Sequence, residues 1–186
     1  FAPAMKLGIH CYVQKPLVRT LWENRVFGEV ARENGVALRC TAAVGGGIPW
    51  LINLERCRRI DTVTEVSGIM NGTTNYMLDA MQRKGCTYED ALKTAQQLGY
   101  AEADPTADVD GFDSMYKLSI LSSMAFHTKI PYTKIFREGI SKIDIKDIEY
   151  GKELGYTLKL LAIGKNEGKG IEVRVHPTLI PNSHPL

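Results

Sequence analysis

Apolar residues recur along the 186-residue chain with periods that change from segment to segment, and those changes predict its elements. Residues 2–8 read as the tail of a helix and residues 10–13 as a short buried strand. Thr20-Leu21-Trp22-Glu23 has the form of a capping box, placing a helix over residues 21–34 with Gly35 as its stop. Trp22, Val26, Phe27 and Val30 recur at helical spacing, so one face of that helix is expected to be buried. A strand over residues 36–43 runs into Gly45-Gly46-Gly47, and Pro49 suits the first turn of the next helix. A second strand is expected over residues 62–69. Asn71-Gly72-Thr73-Thr74 then turns the chain into a helix ending near Gly85, and Thr87 opens another that Gly99 closes. Residues 100–111 show no period, whereas residues 113–127 form a nearly all-apolar helix. A helix over residues 146–154 follows, and strands over 156–163 and 171–180 finish the chain. Strands and helices mixed in this way predict an α/β or α+β arrangement, a mixed sheet covered by helices.

Composition changes this picture little. The chain is 44% hydrophobic and 24% charged, as in ordinary globular proteins, and 23 basic against 21 acidic residues leave a net charge of +2 with no long run of either sign. That argues against a dedicated nucleic-acid or membrane-surface module. No apolar stretch approaches the roughly 20 residues needed to span a bilayer, and no secretory leader is evident. Cys11, Cys40, Cys57 and Cys86 are far apart, with no C-x-x-C pair, so a reduced cytoplasmic protein explains them better than a disulfide framework or a zinc site. The chain begins at Phe1 and stops shortly after a strand, and reads as a fragment.

Candidate chemistry concentrates in the aperiodic stretch. Glu102, Asp104, Asp108, Asp110 and Asp113 place five carboxylates within 12 residues and no basic residue among them. A solvated surface loop is one reading. A calcium loop is another, since residues 106–111 put Gly111 at the sixth position; the twelfth is then Lys117, where a bidentate Glu is required, and that reading fails. The third is a tuned pair. Asp113 and Lys117 are spaced i, i+4 on one helix face, and Leu118, Ile120, Leu121, Met124, Ala125 and Phe126 leave little polar surface around them. A lysine is seldom taken out of water without a partner, and a lysine held by a carboxylate at the rim of a core helix is a candidate functional group.

Several motifs then fall in a recognisable order: residues 44–49 (Val-Gly-Gly-Gly-Ile-Pro), residues 71–76 (Asn-Gly-Thr-Thr-Asn-Tyr), and residues 98–105 (Leu-Gly-Tyr-Ala-Glu-Ala-Asp-Pro) with Asp108, Gly111, Asp113 and Lys117. With Gly139-Ile140 and residues 155–161, they make the chain from about residue 36 onward resemble homoserine dehydrogenase. The resemblance implies reversible oxidation of L-homoserine to L-aspartate 4-semialdehyde with NAD or NADP. Carried over residue by residue, it makes Lys117 the acid/base and Asp113 its orienting partner. Glu102 and Asp108 would bind the amino-acid end of the substrate beside Tyr100, Gly72 and Thr73, while Asn71 and Gly72 would lie near the nicotinamide. It also implies that backbone carbonyls of Val44, Gly46 and Ile48 hold a monovalent cation, although Thr41 stands where a Glu ligand is usual. Residues 1–35 also resemble the glucose–fructose oxidoreductase and inositol dehydrogenase family through Val13-Gln14-Lys15-Pro16, and under either parentage Lys15 would lie near the nicotinamide as an active-site residue.

The domain organisation implied is a C-terminal remnant of a Rossmann NAD(P)-binding domain over residues 1–43, then an α+β catalytic and dimerisation domain over residues 44–186. No glycine-rich strand–turn–helix followed by an acidic residue appears in the chain, so the rest of a cofactor domain is expected upstream of Phe1. A homodimer through the strands at residues 62–69, 156–163 and 171–180 is the expected assembly. A sugar or polyol dehydrogenase, or a catalytically inert dimerisation module, are the alternatives.

Overall fold

The computed structural model describes residues 1–14 and 21–186. These fall into two units, Phe1–Leu54 and Glu55–Leu186. Lys15 and the Thr20 end of the expected capping box lie outside the described residues.

The first unit opens with α1 (Ala2–Lys6), β1 (Cys11–Gln14), α2 (Leu21–Glu33) and β2 (Leu38–Thr41). The two strands are parallel neighbours, Cys11 opposite Leu38 and Gln14 opposite Thr41, and parallel neighbours require a crossover, here the one that carries α2. Met5, Val30 and Ala31 form its core, with Val26, Phe27, Cys11 and Leu38 packed around them. Two expectations are corrected. Trp22 is 71% exposed: the ring of Phe1 already meets that of Phe27 at 6.1 Å, and Trp22 lies five residues, about 7.5 Å, farther along the helix, beyond the reach of so short a partner. Of β1, Val13 alone is buried and Tyr12 is exposed, so it is an alternating rather than a buried strand. Helix α3 (Trp50–Ile60) runs across the boundary between the units.

The second unit contains β3 (Glu65–Gly68), α4 (Gly72–Lys84), α5 (Tyr88–Gln97), α6 (Thr106–Val109), α7 (Phe112–Ala125), a 3₁₀ turn at Tyr132–Lys134, β4 (Phe136–Arg137), α8 (Ile145–Glu153), β5 (Tyr156–Asn166) and β6 (Ile171–Pro181). The sheet has the order β3-β5-β6-β4, with β4 parallel to β6 and the other pairings antiparallel. It is the mixed sheet expected of an α/β fold. The β5–β6 hairpin pairs Tyr156 with Pro181 through to Asn166 with Ile171, so β5 outruns its expected end at residue 163 and leaves a tight turn. Helix α7 lies close against β5: a Cβ on Gly164 would strike Ser122 Oγ and come within 3.5 Å of Leu118 Cδ1 and Phe126 Cε2. Leu118 and Leu121 are fully buried there, each worth about 1.5–3 kcal/mol of apolar burial.

Helix ends follow the sequence signals closely. Asn71 caps α4, Gly85 ends it with φ of 63°, and Thr87 caps α5. Asp144 opens α8 with a complete capping box. The aperiodic stretch departs from expectation by containing α6. Among the described residues no helix is long and apolar enough to cross a membrane.

Candidate active site

Asn71 is where three segments of the second unit meet: the start of α4, the α6 turn and the first turns of α7. Its backbone is extended (φ −130°, ψ 122°), and its side-chain Oδ1 accepts from Thr74 N at 2.9 Å and from Thr74 Oγ1 at 3.0 Å. That is the N-cap role the sequence suggested. The other end of the same carboxamide does something the sequence did not show. Asn71 Nδ2 donates to Asp108 Oδ1 at 2.6 Å and to Asp113 Oδ2 at 3.0 Å. Two carboxylates placed by different elements therefore share one amide group. Asn71 itself is buried.

Asp113 carries the network on to Lys117. Both sit on α7 one turn apart, and Lys117 Nζ donates to Asp113 Oδ2 at 2.7 Å and to the Met70 carbonyl at 2.9 Å. The two side chains are 23% and 32% exposed, so water reaches them without surrounding them. The apolar enclosure read from the sequence is partial: Leu121 is fully buried, but Ile120 is 37% exposed. The formal charges of Asp108, Asp113 and Lys117 sum to one negative, and the amide between the carboxylates reduces their mutual repulsion.

The five-carboxylate loop thus divides by function. Asp108 and Asp113 converge. Asp104 Oδ1 accepts from Thr106 N at 3.1 Å, and the Thr106 hydroxyl and N–H hold its carboxyl below the usual range. Asp110 Oδ1 accepts from Ser141 Oγ at 3.0 Å. Burial, with the charges of Asp110 and Glu89, pushes the Tyr88 phenol above its ordinary value. Glu102 has an exposed side chain, and its backbone carbonyl accepts from Gln96 Nε2 at 3.0 Å.

The loop is also strapped down. Ile140 N donates to the Val109 carbonyl at 2.7 Å, Arg137 Nη1 donates to the Asp110 carbonyl, and the Arg137 guanidinium stacks 3.6 Å over the Phe112 ring. Gly139 lies so close beneath that a Cβ there would strike the Val109 carbonyl and the Asp110 backbone. In the sequence Gly139-Ile140 stands out only as a family-like segment; the glycine is the signal for close approach.

Of the remaining expected residues, Thr73 is buried and donates from Oγ1 to the Tyr100 carbonyl at 2.7 Å. The exposed Tyr100 ring lies 4.9 Å from that of Tyr76. Gly72 begins α4, and a Cβ there would meet nothing, so bare backbone faces open space at the helix start. Val44, Gly46 and Ile48 belong to the first unit, in a turn where Ala42, Gly45 and Gly46 have φ of 62°, 79° and 57°. The Ile48 carbonyl there already accepts from Trp50 N at 2.7 Å. The turn borders a cleft of about 260 Å³ lined also by Tyr12, Gln14, Cys40 and Ala42. Among the described residues, no group of three or more His, Cys, Asp or Glu side chains is placed to hold a metal ion.

The fold is that of an α/β oxidoreductase family. The chain belongs to the homoserine dehydrogenase family, whose model matches residues 49–186. It is 43% identical over 183 residues to the homoserine dehydrogenase of Neisseria gonorrhoeae, covering 98% of this chain and 42% of that protein. To the homoserine dehydrogenase of Corynebacterium glutamicum it is 50% identical over 163 residues, covering 85% and 37%. A crystal structure of a homoserine dehydrogenase from Thiobacillus denitrificans superposes with a TM-score of 0.87 at 41% identity, covering 99% of this chain and 42% of that one. The chain therefore spans about two fifths of the length of these relatives, and the likeness takes in the segment before residue 36 as well.

Proposed function

We propose that this chain provides the substrate-binding and acid/base part of an NAD(P)-dependent homoserine dehydrogenase, interconverting L-homoserine and L-aspartate 4-semialdehyde. The observation that carries this reading is the way Lys117 Nζ is held. An ammonium has three N–H groups, and Asp113 and the Met70 carbonyl take two of them. The third position is the one a proton can enter or leave without disturbing the other two.

In the oxidation direction, neutral Lys117 accepts the proton of the substrate hydroxyl at that position; in reduction, the ammonium returns it to the aldehyde oxygen as that oxygen becomes an alcohol. General acid–base help of this kind contributes about 10²- to 10⁴-fold. Asp113 keeps the lysine aimed. Asp108 spends one oxygen on Asn71, leaving the other, with Glu102, for the substrate ammonium. Tyr100, Gly72 and Thr73 line the same place, and the carboxylate excess favours a cationic substrate end. A bound nicotinamide would supply the acceptor or donor for the hydride of the substrate's hydroxyl-bearing carbon.

The residues present fit one end of that cofactor. The cleft beside Gln14 and Cys40 lies at the C-terminal ends of two parallel strands, where α/β folds take up such ligands, and Lys15 follows directly in the chain. No glycine follows β1 before α2, so the nicotinamide end fits and the pyrophosphate does not. In this reading residues 1–43 belong to the cofactor-binding side, residues 44–186 to catalysis and homodimer formation, and the protein works in the cytoplasm. Within the second unit, Gly72 and the backbone of Asn71 are the candidate nicotinamide contacts. Val44, Gly46 and Ile48 are the candidate carbonyl ligands of a monovalent cation, with one Ile48 lone pair already engaged.

The test is the activity of a chimera carrying residues 1–186 in place of the matching segment of the Neisseria gonorrhoeae relative. Reduction of aspartate 4-semialdehyde is expected, with kcat in Lys117→Met lower by about 10²-fold or more. Full activity in Lys117→Met would sink the assignment.

A further inference from the structure

The Asn71 carboxamide is buried and fully committed: Oδ1 to Thr74, and its two N–H groups to Asp108 and Asp113. Nothing is left of it to offer a ligand. Capping α4 requires the oxygen alone, and Ser or Asp would supply that equally well. What Ser and Asp cannot supply is a two-donor fork reaching two carboxylates 37 and 42 residues away in the sequence. The fork joins groups of different duty, because Asp113 holds the lysine while Asp108 keeps one carboxylate oxygen outside the bridge.

We infer that Asn71 is a positioning residue that sets the substrate-binding carboxylate of Asp108 and the Asp113–Lys117 pair in fixed relation to each other. This rests on the proposed function for what the two carboxylates do, though the hydrogen-bonded bridge itself stands apart from it. Charge-assisted hydrogen bonds are about twice as strong as neutral ones, so two of them on one amide orient both acceptors strongly. The bridge also accounts for how three separate elements deliver groups to one place. Helix α4 supplies the amide, α6 the binding carboxylate, and α7 the acid/base. A substrate whose ammonium rests on Asp108 then has its far hydroxyl presented at a set distance from Lys117 Nζ. The amide therefore takes part in choosing substrate length as well as rate.

Two readouts test it. In the 186-residue chain, the side-chain NH₂ signals of Asn71 are expected to exchange with water at least about tenfold more slowly than those of exposed amides. One of the two should lose that protection in Asp108→Asn. In the chimera, Asn71→Ser and Asn71→Asp keep the cap acceptor and are expected to fold with an unchanged α4. Both should nevertheless lower kcat about 10- to 100-fold and raise KM for the amino-acid substrate. A role in capping alone would leave both kinetic constants near wild type in Asn71→Ser, which adds no charge beside the two carboxylates. Kinetic constants within twofold of wild type in both folded variants, or Asn71 NH₂ signals exchanging like exposed amides, would overturn the inference. Failure of the function itself is seen separately: a chimera inactive on aspartate semialdehyde, or active with Lys117→Met, refutes the reaction while the exchange measurement still decides the bridge.

Discussion

Lys117 and Asp113 form an ion pair one helical turn apart, and at their degree of exposure such a pair adds about 0.3–1 kcal/mol to stability. Their placement is better explained by chemistry than by stability. Lys117→Arg separates the two, because a guanidinium keeps the charge and the donors but does not deprotonate. The variant is expected to melt within about 2 °C of wild type, a shift corresponding to less than about 1 kcal/mol, while the chimera loses about 10²-fold or more in kcat; thermal unfolding and steady-state rates check the two halves. Tyr88 offers a prediction about pH. Its phenol is pushed up from 10.0 by burial and by Asp110 and Glu89, so the folded state favours the protonated form. That stabilisation is complete below about pH 10, the unfolded value, and is lost as pH rises through the higher folded value. Denaturant melts between pH 9 and 11 should show a steeper alkaline loss in wild type than in Tyr88→Phe. Equal slopes would mean that the phenol is not in the environment described. At this scale the sequence exposed what is local. The i, i+4 spacing of Asp113 and Lys117 and the cap at Asn71 were legible, since each depends on neighbours within one turn. The Asn71–Asp108 contact was not, because nothing in a single sequence relates residues joined only by folding.

Elements show the same division between local and distant causes. Helices α4 and α5 were legible because caps and stops of known chemistry bracket them, Asn71 with Gly85 and then Thr87; the Asp144 cap that opens α8 was not among the signals read. Helix α6 has four residues and β4 has two, too few for any period, and β4 exists only because β6 offers it a ladder. The exposure of Trp22 was equally hidden, since the limit lies in the length of α1. The strap over the acidic loop leads to a prediction at this scale. Gly139 faces backbone, not a side chain that could turn aside, so Gly139→Ala must separate the strap from residues 109–110. A cost of about 1–3 kcal/mol is expected, which for a chain of this size lowers Tm by about 2–12 °C. Because Asp108 rides on the same turn, the chimera should also show a raised KM. A variant that melts like wild type would show that the strap can shift freely and does not fix the loop.

For the whole assembly, the sheet of the second unit carries the argument for a homodimer. Gly164 of β5 points towards α7, and residues alternate in direction along a strand, so Leu161 and Ile163 share one side of the sheet. They form a buried cluster with Ile180, and Ile69 packs against it. In register with them stand His176 opposite Leu161 and Arg174 opposite Ile163. Phe136 of β4 pairs with Arg174, lies 6.4 Å from the His176 ring, and is 61% exposed. An exposed aromatic beside an arginine is a combination enriched at interfaces, and the homodimer proposal uses this side of the sheet. A two-fold contact through this side would place the same residues of both copies against each other, and a stable one buries about 1,200 Å² or more in total. The 20.7 kDa chain is therefore expected to sediment as a dimer at micromolar concentration. Phe136→Glu should make it monomeric with its circular dichroism unchanged, since burying two carboxylates against each other is costly and the monomer leaves the side chain in water. Wild type sedimenting as a monomer at about 100 µM, a concentration at which even a weak specific pair with Kd near 10 µM is mostly associated, would remove the dimer from the proposal while leaving the Lys117 site intact, because every group in that site comes from one chain.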